Sequence, residues 1–254
     1  MGKAERHSQL CVDMRTLLGL AFLVAATMAT AAVPYTGAMP GYILGFINAW
    51  RSKVALSRQQ WYNSTVTTEL YWPGSKKTYQ LRWDAGLATN SSKRLNSLQN
   101  RVATYPLPAG TLEIHVGLFP NTVGTNLITN KEMFDYAWTN TWLAWISTSG
   151  VPSINYRPPA NTGYTESYIT QTYRLVHGNA QKIGCAFRNN TDQLAPAGAY
   201  GSYILWCQLS PMAFVSGTPV YPVANSPCEI CSQCPATAPC NPKTGLCVFK
   251  ATGK

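Results

Sequence analysis

Acidic residues and histidines are in short supply. Ten Asp and Glu stand against twenty Lys and Arg among 254 residues, and there are three histidines, His7, His115 and His177. Past residue 31 the carboxylates are Glu69, Asp84, Glu113, Glu132, Asp135, Glu166, Asp192 and Glu229, and no two of them sit in a motif that demands an acid–base pair. His177 could be drawn together with Asp135 or Asp192 on paper, but no nucleophile elbow accompanies it. Its surroundings, Val176-His177-Gly178-Asn179, read as a solvated turn at a strand end. A phosphate-cradling glycine loop is missing too. These absences leave an enzyme little to stand on, and no cofactor is expected. There is no internal repeat, and after residue 31 no apolar run is long enough to span a membrane.

Cysteine is absent from residues 32–184, so that stretch has no disulfide of its own. The chain does have a charged, then apolar, then small-residue N-terminus. Lys3, Arg6 and Arg15 precede the series Leu17 to Val24, and Ala29-Thr30-Ala31 supplies a cleavage site. Residues 1–31 read as a secretory signal peptide, the apolar run being short for a membrane anchor. Seven cysteines follow: Cys185, Cys207, Cys228, Cys231, Cys234, Cys240 and Cys247. Behind an export signal they read as disulfides, although Cys228-x-x-Cys231-x-x-Cys234 also has zinc-ligand spacing. Seven is odd, so one thiol is free, pairs with another chain, or has a partner not counted here. Asn63, Asn90 and Asn189 each open a glycosylation tripeptide, which places all three segments at the surface.

The formal charge is +10, and removing three cations and two anions with residues 1–31 leaves +9. Nucleic acid is not an expected partner of an exported chain, whereas anionic cell surfaces and sulfated glycans are. The cations are scattered, only Lys76-Lys77 and Lys93-Arg94 being adjacent, which reads as a generally solvated basic surface.

The pattern along the chain changes near its middle. Ile43, Phe46, Ile47, Trp50 and Val54 recur at helical spacing over Tyr42–Leu56, with Arg51 and Lys53 on other faces. A second helix is expected from Ala85 to about Val102 with Asp84 as its N-cap, and a third from Lys131 to Ser147. A short strand near Leu112–Val116 lies inside a Pro-, Gly- and Thr-rich loop. Tyr168–Val176, Lys182–Phe187 and Tyr200–Leu209 read as strands, and antiparallel pairing of the last two would bring Cys185 and Cys207 within bridging reach. From residue 216 on, Pro, Cys and Gly dominate, as in a small module held by disulfides.

Five segments in order carry a family resemblance. Ile47-Asn48-Ala49-Trp50-Arg51 resembles the His-Asn-x-x-Arg helix of the CAP superfamily, the sperm-coating, antigen 5 and pathogenesis-related proteins. Leu81-Arg82-Trp83-Asp84 to Ala88 is similar to its Trp-Asp-x-x-Leu-Ala helix start. Thr170-Gln171 with Ile183-Gly184-Cys185 matches the Thr-Gln and Gly-Cys signature, and Cys207-Gln208-Leu209-Ser210-Pro211 stands where Cys-Asn-Tyr-Ser-Pro is usual. Gly217 to Pro222 and the tail ending Gly245-Leu246-Cys247 resemble the hinge of nematode activation-associated secreted proteins. The resemblance implies an α+β fold, a three-layer α-β-α sandwich with a short antiparallel sheet, over residues 32–215, and a Cys-rich tail over 216–254.

It also implies a cavity of two His and two Glu able to hold a divalent metal. The chain departs from that pattern. The four positions fall on Ile47, Leu118, Trp145 and Tyr168, none of which is a good ligand, so no metal is expected. His115 lies near the same cavity segment. What remains is a surface, with eight Trp and fourteen Tyr in the chain and Tyr105, Tyr156 and Tyr164 in Pro-rich loops. The expected function is binding of an extracellular protein or receptor, with a host interaction implied by the nematode relatives. Carriage of sterol or fatty acid and charge-driven attachment to glycosaminoglycans are the alternatives.

Overall fold

The computed structural model describes residues 31–61, 70–99, 102–118, 129–144, 154–155, 164–189, 203–213 and 215–250. In chain order the elements are β1 (Val33–Pro34), α1 (Met39–Ala55), β2 (Gln60–Trp61), β3 (Leu70–Tyr71), β4 (Arg82–Trp83), α2 (Ala85–Asn96), β5 (Leu98–Gln99), β6 (Val102–Ala103) and β7 (Leu112–Leu118). Then come α3 (Asn130–Tyr136), a π-helical segment Ala137–Trp142, α4 (Tyr164–Val176), β8 (Lys182–Asn189), β9 (Tyr203–Ser210), β10 (Cys240–Asn241) and β11 (Leu246–Cys247).

β8 and β9 are the axis of the main sheet. They pair antiparallel over their whole length, and the register sets Cys185 opposite Cys207, where the two are bridged. β7 continues the sheet beyond β9. The far edge of β8 is shared, with β4 parallel to its first residues and β1 antiparallel further along. Side chains of β9 alternate, as a pleated strand requires. Tyr203, Leu205, Cys207 and Leu209 enter the large core with Ile43, Ile47, Trp50, Phe134, Trp138 and Leu175, whereas Ile204 and Trp206 meet Leu95 of α2 on the opposite face. Helices on both faces of one sheet make the three-layer α-β-α sandwich.

α2 begins as the sequence predicts: the Asp84 carboxylate accepts from Leu87 N at 3.0 Å, satisfying a first-turn donor. It lies directly on β8, and Gly184 is what permits this. A Cβ at Gly184 would stand 2.2 Å from Ala88 N, 2.5 Å from Asp84 O and 2.6 Å from Leu87 C, all backbone atoms. The Ser91 hydroxyl completes the approach by donating to Gly184 O at 2.9 Å.

Some expectations are corrected. α2 stops at Asn96 rather than near Val102, and the β5–β6 hairpin follows. Tyr168–Val176 is not a strand but part of α4. Its Tyr, Thr, Ile and Val favour strands by residue type, a local preference that tertiary packing overrides, Thr170 to Val176 being buried at every position but Arg174. The third helix starts at Asn130, with a capping box of Thr129 and Glu132, and widens into the π-helical segment.

The tail bonds to the stretch before β4. Ala224 N donates to Gly74 O, Cys231 N to Ser75 O, Gln233 N to Lys76 O and Cys247 N to Thr78 O, all at 2.8–3.0 Å. Cys231–Cys240 and Cys234–Cys247 close it. Cys228 is exposed and is the unpaired cysteine among the described residues, so its expected bridge is not formed. With Cys231 and Cys234 in separate bridges, the zinc reading of that spacing does not hold.

Gly184→Ala is expected to lower stability by roughly 3 kcal/mol, because backbone atoms cannot yield as a side-chain tip can. An unchanged urea midpoint would refute this close approach.

Candidate functional site

The first helix carries the polar residues from which the centre of the domain is built. Asn48 pairs with one residue as a strand would: its Nδ2 donates to Leu81 O at 3.0 Å, and its Oδ1 accepts from Leu81 N at 2.8 Å. One turn on, Arg51 is fully buried rather than facing outward with Lys53 as expected. Its guanidinium donates to Tyr79 O from Nε and Nη2 (3.1 and 2.8 Å), to Leu175 O from Nη1 (2.5 Å), and to His177 O and Ala180 O from Nη2 (3.1 and 3.3 Å). Among the described residues no carboxylate is paired with it. Leu175 O belongs to the last turn of α4, where the helix dipole is negative and favours a cation. Burial still pulls the Arg51 pKa down to about 9.

α4 answers with side chains of its own. β7 is the outer strand of the sheet, and its outward backbone groups need partners. Gln171 Oε1 accepts from His115 N at 3.0 Å and from the Trp142 indole at 2.9 Å, and Arg174 donates to Glu113 O. The Thr-Gln signature thus joins α4, β7 and the π-helical segment.

On the α2 side of the sheet, Glu113 is gripped by Arg94, Nε at 2.5 Å and Nη2 at 2.8 Å, and accepts from the Trp206 indole at 2.9 Å. The carboxylate is thereby spent as an anchor between α2 and the sheet. Sequence reading missed this group because Arg94 and Glu113 share no motif.

His115 is half-buried and His177 is interior. The His115 ring stacks on Trp206 with centroids 4.6 Å apart. Burial, aided by the Arg174 charge, depresses its pKa to about 4. His177 is 5% exposed, with Nε2 3.1 Å from Ala213 O, so the solvated turn expected for it is wrong. Its pKa also falls to about 4, first through burial and then through Arg51.

Of the four family cavity positions, the described residues place the side chain of Ile47 alone. Ile47 is completely buried in the main core. Leu118 ends β7 opposite Tyr203, and Tyr168 lies within α4. Trp145 is outside the described residues. Ile, Leu, Trp and a neutral Tyr do not fit a divalent metal, and among the described residues no group of three or more His, Cys, Asp or Glu could hold one. Of the sequons, Asn63 is outside the described residues and Asn189 ends β8. Asn90 is half-buried within α2, with Ser92 buried and donating to Ala32 O at 2.6 Å.

No family model and no curated protein matches the chain. Solved structures of nematode venom-allergen-like proteins do. NaASP2, crystallised with Zn2+, superposes with a TM-score of 0.57 at 19% identity over 84% of this chain and 96% of that one. Na-ASP-1 gives 0.58 at 18%, covering 87% of this chain and 49% of its own length. A hookworm platelet inhibitor gives 0.54 at 17%, over 86% and 94%. The protein has the CAP superfamily fold, in the form seen in these nematode proteins. Among the described residues no helix is long and apolar enough to cross a membrane.

Arg51→Met is expected to cost about 3–5 kcal/mol, since it leaves four buried carbonyls without their donor, and Arg51→Lys should recover only part of this. Equal urea midpoints for Arg51→Met and wild type would remove Arg51 from this role.

Acid should destabilise the fold before any carboxylate does. Both histidines titrate near 6.5 when unfolded and near 4 when folded. The unfolded state therefore binds the extra protons, and stability falls as pH drops from 6.5 toward 4, by about 2 kcal/mol per histidine at pH 5. His177→Gln should halve this slope in chemical unfolding from pH 7 to 5, and an unchanged slope would refute the assignment.

Proposed function

We propose that this chain is a secreted, non-enzymatic CAP-fold protein that acts by binding an extracellular protein or receptor of a host. Residues 1–31 are its export signal, 32–215 its CAP domain and 216–254 its disulfide-held tail. The observation that carries the reading is how the interior polar groups are used. Arg51 and Asn48 are committed to backbone groups, Gln171 to His115 N and the Trp142 indole, and Glu113 to Arg94 and Trp206, while Ile47 puts hydrocarbon at a family cavity position. That leaves the surface to carry recognition. There Phe46 and Tyr71 are 39% and 45% exposed, large rings that bury much area for few rotatable bonds. The disulfides support an oxidising, extracellular setting.

One structural neighbour is named a platelet inhibitor, which makes platelets the first cells to try. Purified glycosylated protein is expected to attach to mammalian platelets or other blood cells saturably, to be displaced by unlabelled protein, and to stay bound at raised salt. Absence of attachment, together with extraction of a labelled sterol, would overturn this reading in favour of lipid carriage.

A further inference from the structure

Not all the scattered cations are scattered in space. Arg82 of β4 and Lys182 of β8 are register partners in parallel strands and point to the same side, both exposed. The Arg82 guanidinium carbon lies 3.9 Å above the ring of Phe249. Phe249 stacks on Tyr79, with centroids 5.4 Å apart and planes 12° from parallel, and Lys77 Nζ stands 5.9 Å from the Tyr79 ring centre. Rings stacked this closely leave no room between them, so Arg82 caps the outer side of the stack. Exposed Lys250 follows Phe249 in sequence.

The stack is fastened from beneath. Tyr79, Ala238 and the half-cystines Cys234 and Cys247 form one apolar cluster with Phe249, and Cys247 bonds through its backbone to Thr78 and Gln80. The CAP domain contributes Lys77, Tyr79, Arg82 and Lys182, and the tail contributes Phe249 and Lys250. Neither part alone makes the face.

Its charges are largely unspent. Among the described residues Lys182 is paired, with Asp84 at 3.0 Å, while Lys77, Arg82 and Lys250 have no carboxylate partner. Elsewhere Lys76, Arg94 and Lys131 are each paired with an acid. A cation resting on a ring keeps its outward N–H groups available, and a guanidinium presents two of them in a fork that fits a bidentate oxyanion.

We infer that this face at the junction of domain and tail binds a sulfated polysaccharide. The choice among polyanions rests on the secretion reading. Outside the cell, sulfated glycans are available to a basic protein, whereas the anionic lipids that attract basic segments belong to the cytoplasmic leaflet. An anionic membrane would also be expected to engage exposed apolar side chains, and Val33, Phe46, Tyr71 and Val215 are not part of this face.

The test is binding of the full mature chain to immobilised heparin, compared with two single charge reversals. Arg82→Glu and Lys93→Glu change the net charge equally, but Lys93 sits eight residues along α2 from Ala85, about 12 Å away along the helix axis. Arg82→Glu is expected to weaken heparin binding roughly tenfold and to elute at lower salt, with Lys93→Glu close to wild type. Desulfated heparin and phosphatidylserine vesicles should bind weakly. Equal losses from both reversals, no loss from either, or equal binding of desulfated heparin would overturn the proposal, as would tighter binding to the vesicles. Retention of the expressed chain inside cells, with unchanged heparin binding by the purified protein, would sink the secretion reading alone.

Discussion

Arg51 is a full positive charge enclosed in the largest apolar core of the molecule, and the rest of the domain is arranged so that it can stay there. A buried guanidinium with no carboxylate partner among the described residues is tolerable only if its N–H groups find acceptors of fixed position. The acceptors come from three places: Tyr79 ahead of β4, Leu175 and His177 at the end of α4, and Ala180 ahead of β8. Segments far apart in sequence must therefore meet at one point, and α1 is tied to the end of α4 and the start of the sheet. Asn48 repeats the device one turn earlier by pairing with Leu81. The two polar residues of the helix motif are thus structural, and the position beside them, Ile47, is free to be hydrocarbon.

The same economy holds across the sheet. α4 would pack on β7 with unsatisfied strand edges were it not for Gln171 and Arg174, which supply the missing acceptor and donor. Glu113 locks β7 to α2 through Arg94. Polar groups that look in isolation like the parts of a reactive centre serve as brackets between layers. Both histidines pack into that scaffold, His115 on Trp206 and His177 against Ala213 O.

Several elements were legible because a local cause dominates them. Asp84 caps α2 since its short carboxylate reaches the first-turn N–H groups whatever lies further off. The apolar runs around Cys185 and Cys207 are strands because β-branched and aromatic side chains packed on both faces suit a central strand, and pairing them leaves the bridge as a consequence. α4 reads as a strand from its composition because Tyr, Thr, Ile and Val are strand formers, a local preference that tertiary packing overrides. His177 was misread because Gly178 beside it suggests an open turn. A Cβ at Gly178 would instead lie 2.6 Å from Lys77 O and 2.9 Å from Tyr221 Cβ, so the glycine marks close packing.

By itself the sequence determined the order of most helices and strands and the pairing that makes the Cys185–Cys207 bridge, and its resemblance to the CAP superfamily implied the α+β class. The helices and strands follow from residue type and spacing within a segment, and the bridge from the antiparallel pairing of two of them. Only the tertiary structure decided that Arg51 is interior, that the tail is bonded along residues 74–80, and that Lys77, Arg82, Lys182 and Phe249 share one face. Those outcomes depend on which distant segments meet. Burial and electrostatics act through space, and no local pattern of residues records the distances over which they act.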